Sequence, residues 1–478
     1  MKRFPELAEG DMFIANDPYI VGVTHLNDCT ICAPVFFEGH AIGFAVAVAH
    51  HSDVGGRVPG SESGDSTSIF QEGLRLPPMR LIEAGRKRDD VWEMILLNSR
   101  TPHFTDGDLH AQVAANLRGA ARLVQLYRRH GVATMQAAIE EMILATRKRL
   151  SHRIETVLTG GCYASEDWMD DDGVGGGPVR LAVEITVAGG RIHCDFTGCA
   201  PQIPSGKNIP YTHVMATVYY CVKAMLDPDL PINEGLYGVI DVTAPAGSVV
   251  NPTSPSGVSS RNAGAMILAD VLLDALGQAA GDRAVASTGA FQGIILSGHD
   301  PRKNRFFVDY ENFAGGEGGG ARGDGADVMQ MHMTNTANLP IEVMETEFPV
   351  RVERYEMIPD SGGAGEHRGG LGVIRDLRLT APQMLANRSS RQIFPAVGRH
   401  GGMAGTPGRY VLNPGPGETV LPGTCSELAL AEGDLLRVMT PGGGGYGPPE
   451  RRDPALVARD LRDGKISVEA ARTVYTKT

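Results

Sequence analysis

The sequence predicts an α+β protein of several domains, and three observations carry that expectation. Residues 10–56 have the signature of a β-hairpin, the spacing turns helical from Asp89, and strand patterning returns after Gly160, dominated by Gly, Pro and β-branched residues from about Val285. A chain of 478 residues can build two or three cores. The pattern divides it into residues 1–160 (hairpin with a helical layer), 161–285 (a mixed α/β region) and 286–478 (a β-rich region with a terminal helix).

The hairpin comes first. Residues 29–37 (CTICAPVFF) are β-branched and aromatic, Glu38-Gly39 is a turn signal, and residues 41–49 (AIGFAVAVA) form a second apolar run. Strands turning there pair residues whose numbers sum to about 77, which brings Asp28 and His50 to the open end. His25 lies three residues ahead of Asp28 in a loop-like stretch, and a loop can aim both side chains at one point where a strand would point them apart. Asp17, His51 and Asp53 lie in the same segment. Two imidazoles and a carboxylate suit Zn, Mn or Fe(II). The alternative, polar caps on strand ends, stands beside that reading.

Residues 63–78 read as an irregular lid that Ile69, Phe70, Leu74 and Leu76 could anchor. Three helices follow, over residues 91–100, 108–131 and 132–158, with Asp106 as N-cap of the second and Gly131 as its stop; they form a bundle or a layer on the hairpin sheet. Residues 179–187 and 191–196 make another hairpin around Ala188-Gly189-Gly190. The acidic run 166–172 lacks the spacing of a calcium loop and reads as a solvated turn. Helices are expected at 214–226 and 263–276, the second capped by Asn262 or a nearby serine at a place where an anion could sit. The glycine clusters 315–325 and 441–447 lack a phosphate-loop ending and are expected to pack against a neighbouring subunit. Residues 332–356 have the mixed character of an interface strand, and one helix over residues 454–475 closes the chain.

Composition excludes some functions. A formal net charge of −12 without a basic patch argues against nucleic acid or an anionic membrane as partner. The seven cysteines form no framework; Cys29 and Cys32 point to opposite faces of a strand and read as buried thiols, so a reducing cytoplasm is the default location. The start has no apolar leader and no run of 18 apolar residues occurs, which reads as a soluble protein.

Several motifs now add a resemblance. GDMFIANDPYIVGVTHLND, AHHSDVGG, PGSESGDSTSIFQEGLRLPP, NSRTPHFTDGDLHAQVAAN, LDPDLPINEGLYGVI, HMTNTANLPIEV, RVERYE, DSGGAGEHRGGLGVIR and TPGGGGYG occur in this order, and from about Gly10 to Tyr475 the chain resembles the hydantoinase B/oxoprolinase family. The resemblance implies a metal-bearing B-type subunit of an ATP-dependent amidohydrolase that opens a cyclic amide, hydantoin or 5-oxoproline, in a heterotetramer or larger complex. Its partner would be a hydantoinase A-type subunit that binds ATP. A subunit of an ATP-dependent ketone carboxylase, or an inactive structural partner, are the alternatives. By the same resemblance His25, Asp28 and His50 match the metal positions (Mn or Zn, or Fe), with His51 and Asp53 in support. Asp17 becomes a general base or substrate-orienting group, against the plainer role of a turn cap in Asn-Asp-Pro. Family members carry a further N-terminal region before the GDMF-like stretch, so the start was assigned late or the chain is a shortened paralogue.

Overall fold

The computed structural model describes residues 3–334 and 336–476. Its N-terminal sheet has five strands in the order His40–His50, Asp28–Phe37, Met12–Ala15, Met79–Glu83, Arg86–Lys87. Glu38 and Gly39 both have positive φ (50° and 79°), the conformation that a two-residue turn between twisted strands requires. Near the turn the register follows the expected sum, with Phe37 opposite His40 and Phe36 opposite Ala41. A bulge between Val35 and Phe36 then shifts the pairing by one, so that Asp28 falls directly opposite His50.

The three expected helices are Asp89–Asn98, Pro102–His130 and Val132–Val157. The second starts earlier than its spacing predicts, because Pro102 at the first turn supplies a preset φ and has no N–H to leave unpaired. Asp106 is therefore not its N-cap but lies inside it and accepts the Trp92 indole N–H at 2.7 Å. Along one face of the hairpin this helix makes polar contacts to backbone: Gln112 donates to the carbonyls of Cys29 (2.8 Å) and Ala47 (3.2 Å), and Asn116 to that of Ile31 (2.9 Å). The helix thereby fixes the hairpin that carries the candidate site.

A second sheet of four strands, Gly161–Met169, Val179–Ala188, Arg191–Asp195 and Ile240–Thr243, packs on the helices Tyr211–Leu226 and Asn262–Ala280 in the largest apolar core. Asn262–Ala280 is long and apolar enough to cross a membrane, yet 89% of it is buried within the protein as the central core helix. The acidic run is not a solvated turn. Asp167 is buried against Arg391, Asp170 accepts the backbone N–H groups of Gln392, Ile393 and Phe394, and Asp171 pairs with Lys207, so the run ties this sheet to the C-terminal region.

That region is a sandwich. Four strands (Arg305–Asn312, Gly293–Asp300, Gln383–Arg388, Thr424–Leu430) face five (Val350–Met357, Val373–Leu379, Leu435–Met439, Arg409–Leu412, Thr419–Leu421), with Ile294, Leu296 and Leu385 meeting Leu377, Leu436 and Val438 between them. The expected terminal helix is two, Pro454–Arg462 and Val468–Thr473, divided where Gly464 takes positive φ. Residues 332–356 include the helix Ile341–Glu347 as well as a strand.

The two glycine clusters pack on each other within the chain. Gly316 N–H bonds to Pro441 O (3.0 Å), Gly319 to Gly444 O (2.8 Å) and Gly443 to Gly370 O (3.0 Å), so peptide planes approach with no room for side chains. A Cβ on Gly443 would overlap the Glu317 carbonyl. Gly443→Ala is expected to cost about 1–3 kcal/mol of stability, read as a lower urea midpoint; an unchanged midpoint would show that the bundle can open locally.

Candidate metal centre

The loop carrying His25 is built by its own sequence. Asn-Asp-Pro-Tyr folds into one helical turn, Pro18–Val21, capped by Asp17 and ended by Gly22 in the left-handed region (φ 77°). Asn16, fully buried, donates to Leu26 O (2.8 Å) and Leu74 O (2.9 Å) and accepts from Leu76 N–H (2.7 Å), which pins the loop to the lid. In that lid Ile69 and Leu76 are buried and Leu74 is partly so, but Phe70 is 69% exposed and anchors nothing in the core. Asn27 bridges to His51 O (2.9 Å) and Gly60 O (3.1 Å).

His25, Asp28 and His50 do come together. His25 Nε2 is 3.1 Å from Asp28 Oδ1, and the His25 and His50 rings are 4.9 Å apart. The structure adds a fourth residue, Glu62: its Oε1 is 3.0 Å from His25 Nδ1 and 3.3 Å from His50 Nε2, and donor atoms of these three residues lie within 4.8 Å of one another. His50 is the open side, at 36% side-chain exposure, whereas His25 and Glu62 are buried.

Guanidinium groups surround the carboxylates. Arg261 reaches Asp28 Oδ2 (3.4 Å), Glu62 Oε1 (3.5 Å) and Thr24 Oγ1 (3.1 Å), while Thr24 donates to Asp28 Oδ2 at 2.6 Å. Arg388 pairs with the other oxygen of Glu62, which also accepts from Tyr310 (2.6 Å). Burial, aided by the nearby Arg261 charge, pushes the His25 imidazole down to about 4. Against burial, which would raise it, His25 and Arg261 hold the Asp28 carboxyl well below its usual range. The donors are thus a neutral imidazole and a carboxylate, the forms that bind cations.

The donor set fits a divalent ion on one further observation. Both ring nitrogens of His25 are buried and neither makes an aligned hydrogen bond, although carboxylate oxygens stand 3.0–3.1 Å away. A cation among these lone pairs would satisfy what the protein's own donors do not.

The other expected residues are placed elsewhere. His51 alternates away from His50 and meets Gln112 (3.0 Å) on the long helix. Asp53 accepts from Gly55, Gly60 and Arg100, and so folds the loop that delivers Glu62. Asp17 has both oxygens engaged, Oδ1 by Tyr19 N–H (2.9 Å) and Oδ2 by Arg75 (2.7 Å). The core helix has no side-chain cap from Asn262 or a serine; Arg261 sits at its N-cap and projects into the donor set. Sequence reasoning missed Glu62, Arg261 and Arg388, which come from three separate segments. Glu62 left a trace inside the PGSESG motif, and Arg261 lies in the stretch before the core helix where an anion could sit.

Glu72 joins the lid to the core helix, accepting from Val258 N–H (2.8 Å) and Ser259 N–H (3.0 Å), yet burial pushes its carboxyl up to about 7 from 4.5. The folded state then holds this proton more tightly than the unfolded chain. Its contribution is complete below about 4.5 and is lost as pH rises to about 7, a decline of about 3 kcal/mol. In metal-free protein Glu72→Gln is expected to flatten that decline in denaturant titrations.

Comparison with known proteins decides the family. The family model for hydantoinase B/oxoprolinase matches residues 1–449. The chain belongs to that family. Among its relatives, an uncharacterized protein of Methanocaldococcus jannaschii is 36% identical over 99% of this chain and 82% of its own length. Caprolactamase subunit beta of Pseudomonas jessenii is 32% identical over 98% of this chain and 82% of its own. 5-Oxoprolinase 1 of Arabidopsis thaliana is 30% identical, with this family member spanning 36% of its length. The crystal structure of the ATP-dependent caprolactamase from Pseudomonas jessenii superposes with a TM-score of 0.88 at 30% identity, over 98% of this chain and 83% of that one. A nucleotide-free acetone carboxylase shares the fold, with a TM-score of 0.89 at 19% identity, over 99% and 70% of the two chains.

Proposed function

We propose that this chain is the metal-bearing B-type subunit of an ATP-dependent enzyme that opens a cyclic amide of the hydantoin or 5-oxoproline type, with an A-type partner subunit binding ATP. The observation that carries the reading is the convergence of His25, His50, Asp28 and Glu62, two imidazoles and two carboxylates, in a chain similar over nearly its whole length to a caprolactamase subunit. A lactam is a poor electrophile. Transfer of phosphate from ATP to its oxygen gives an imidate-like species; one water adds at carbon, the amine leaves as the C–N bond breaks to give an acyl phosphate, and a second water hydrolyses that to the carboxylate and free phosphate.

The four side chains would hold Mn, Zn or Fe(II), and the ion supplies Lewis acidity for activating water or polarising an oxygen. The chain's own residues do the rest. Neutral His25 is clamped between Asp28 and Glu62, while Arg261 and Arg388 pair with the two carboxylates in a buried place. His50 forms the solvent side by which substrate would enter. Of the two roles open to Asp17, its engaged oxygens favour the turn cap that positions the His25 loop. None of the seven cysteines is disulfide-bonded, in keeping with a reducing cytoplasm.

The test is to co-purify the chain with an A-type subunit and follow ADP and ring-opened product from hydantoin, 5-oxoproline and caprolactam. One ADP per ring opened, abolished by chelation and restored by Mn or Zn, is the expected result. Turnover that requires bicarbonate and a ketone, or ATP hydrolysis uncoupled from every cyclic amide, would overturn the reading.

A further inference from the structure

A second cavity, of 690 Å³, lies where the C-terminal end of the Tyr211–Leu226 helix meets the core helix and the glycine bundle, and none of its lining residues belongs to the donor set described above. One wall holds a fixed polar chain. Asp270, fully buried in the core helix, takes Arg391 (2.8 Å) and Thr288 Oγ1 (3.2 Å) on Oδ2 and His332 Nε2 (3.1 Å) on Oδ1; His332 Nδ1 lies 3.0 Å from the Tyr220 hydroxyl. Although burial opposes it, His332 and Arg391 keep Asp270 below its usual range, so it is a carboxylate and accepts. His332 Nε2 therefore donates to the carboxylate, and its Nδ1 shares a hydrogen bond with the hydroxyl of Tyr220, which lines the cavity.

The charges around this wall are segregated. Glu317 lines the cavity and is exposed, makes no ion pair among the described residues, and is near enough to Tyr220 to add to the burial that holds its phenol protonated. On the helix-end side stand Arg153 and Arg283, neither in a salt bridge among the described residues, with Asp227 and Asp282 near enough to feel their charges. Arg153 donates through Nε and Nη2 to Leu226 O, and Arg283 through Nη1 to Met225 O and Leu226 O. Both close the helix's last carbonyls, yet Nη1 of Arg153 and Nε and Nη2 of Arg283 have no acceptor among the described residues. The remaining ions cancel in pairs, Asp282 with Arg322 and Asp324 with Arg452. The cavity thus has a cation-accepting end and an anion-accepting end.

We propose that this cavity is a second small-molecule site that binds a zwitterionic amino acid, its ammonium against the Tyr220 oxygen and Glu317 and its carboxylate on Arg153 and Arg283. The inference deepens the amide-opening reading, since opening a lactam such as 5-oxoproline or caprolactam yields this class of molecule whereas a hydantoin yields an N-carbamoyl acid without the ammonium, but the segregated charges select it independently. His332 and Asp270 are positioning residues: they fix which way the Tyr220 hydroxyl points.

Calorimetric titration of the full chain with glutamate and 6-aminohexanoate tests it, with caprolactam, hexylamine and hexanoate as ligands lacking one or both charges. Saturable binding of a zwitterion is expected, weakened about tenfold in Glu317→Gln and in Arg283→Gln, since each removes one charge-assisted contact. Arg283→Gln also touches a helix end, so Glu317→Gln, altered only at an exposed side chain, is the deciding variant. Equal binding of caprolactam, no saturable binding of either zwitterion at millimolar concentration, or unchanged affinity in Glu317→Gln would overturn the proposal. His25→Ala should bind the amino acid as wild type does even where metal and ring opening are lost, which separates failure of this site from failure of the proposed function.

Discussion

In His25→Ala, metal content after purification with one equivalent of Mn or Zn is expected to fall from near-stoichiometric to background, and ATP-coupled ring opening by about 10³-fold or more. The magnitude follows from the loss of a Lewis acid worth several kcal/mol of charge stabilisation, each 1.4 kcal/mol being tenfold. Elemental analysis and turnover should be measured on the same sample. Asp28→Asn sharpens the result: as a direct donor its loss should empty the site, whereas as a group that only orients His25 it should lower affinity by about 10–100-fold and be rescued by excess ion. Unchanged activity of the complex when His25 and Asp28 are replaced together would show the chain to be a scaffold for its partner.

Glu62→Gln should give the largest effect on stability, about 3–5 kcal/mol in the metal-free protein. Glu62 is the counter-charge of buried Arg388 and lies 3.5 Å from Arg261, and breaking a buried pair from one side leaves the other charge uncompensated. The amide keeps the shape and one acceptor, so the loss reports charge rather than a cavity. The measurement is the denaturant midpoint with chelator present. A change below about 1 kcal/mol would show that the two guanidiniums find their balance elsewhere. Combining Glu62→Gln with Arg388→Met should recover part of the loss if the pair is coupled.

Much of the site was legible because its first three members lie within one hairpin. A two-residue turn fixes the register to within one residue, and that suffices to bring Asp28 and His50 to the same end. The remaining residue of offset came from the bulge at Val35 and Phe36, which no composition rule marks. His51 and Asp53 carry the same chemistry as the proposed donors but face the other way, and strand alternation explains His51. Asp106 and the 166–172 run misled for a related reason. A carboxylate reads as a cap or a solvated turn until its distant partner, Trp92 or Arg391, is seen.

By itself, then, the sequence determined the local elements: the Glu38-Gly39 turn, the three helices after the lid, the paired strands around Gly189-Gly190, the family, and the His25, Asp28 and His50 group. Each rests on periodicity, turn chemistry or motif order within short stretches, where few conformations compete. Tertiary structure alone decided that Glu62 completes the donor set, that Arg261 and Arg388 neutralise it from the core helix and the sandwich, and that the glycine clusters are one bundle. It also assembled the second cavity, from residues more than a hundred positions apart. These are long-range pairings of buried charges and close backbone contacts, set by which surfaces meet, and a linear pattern carries no record of which distant partner a buried charge will find.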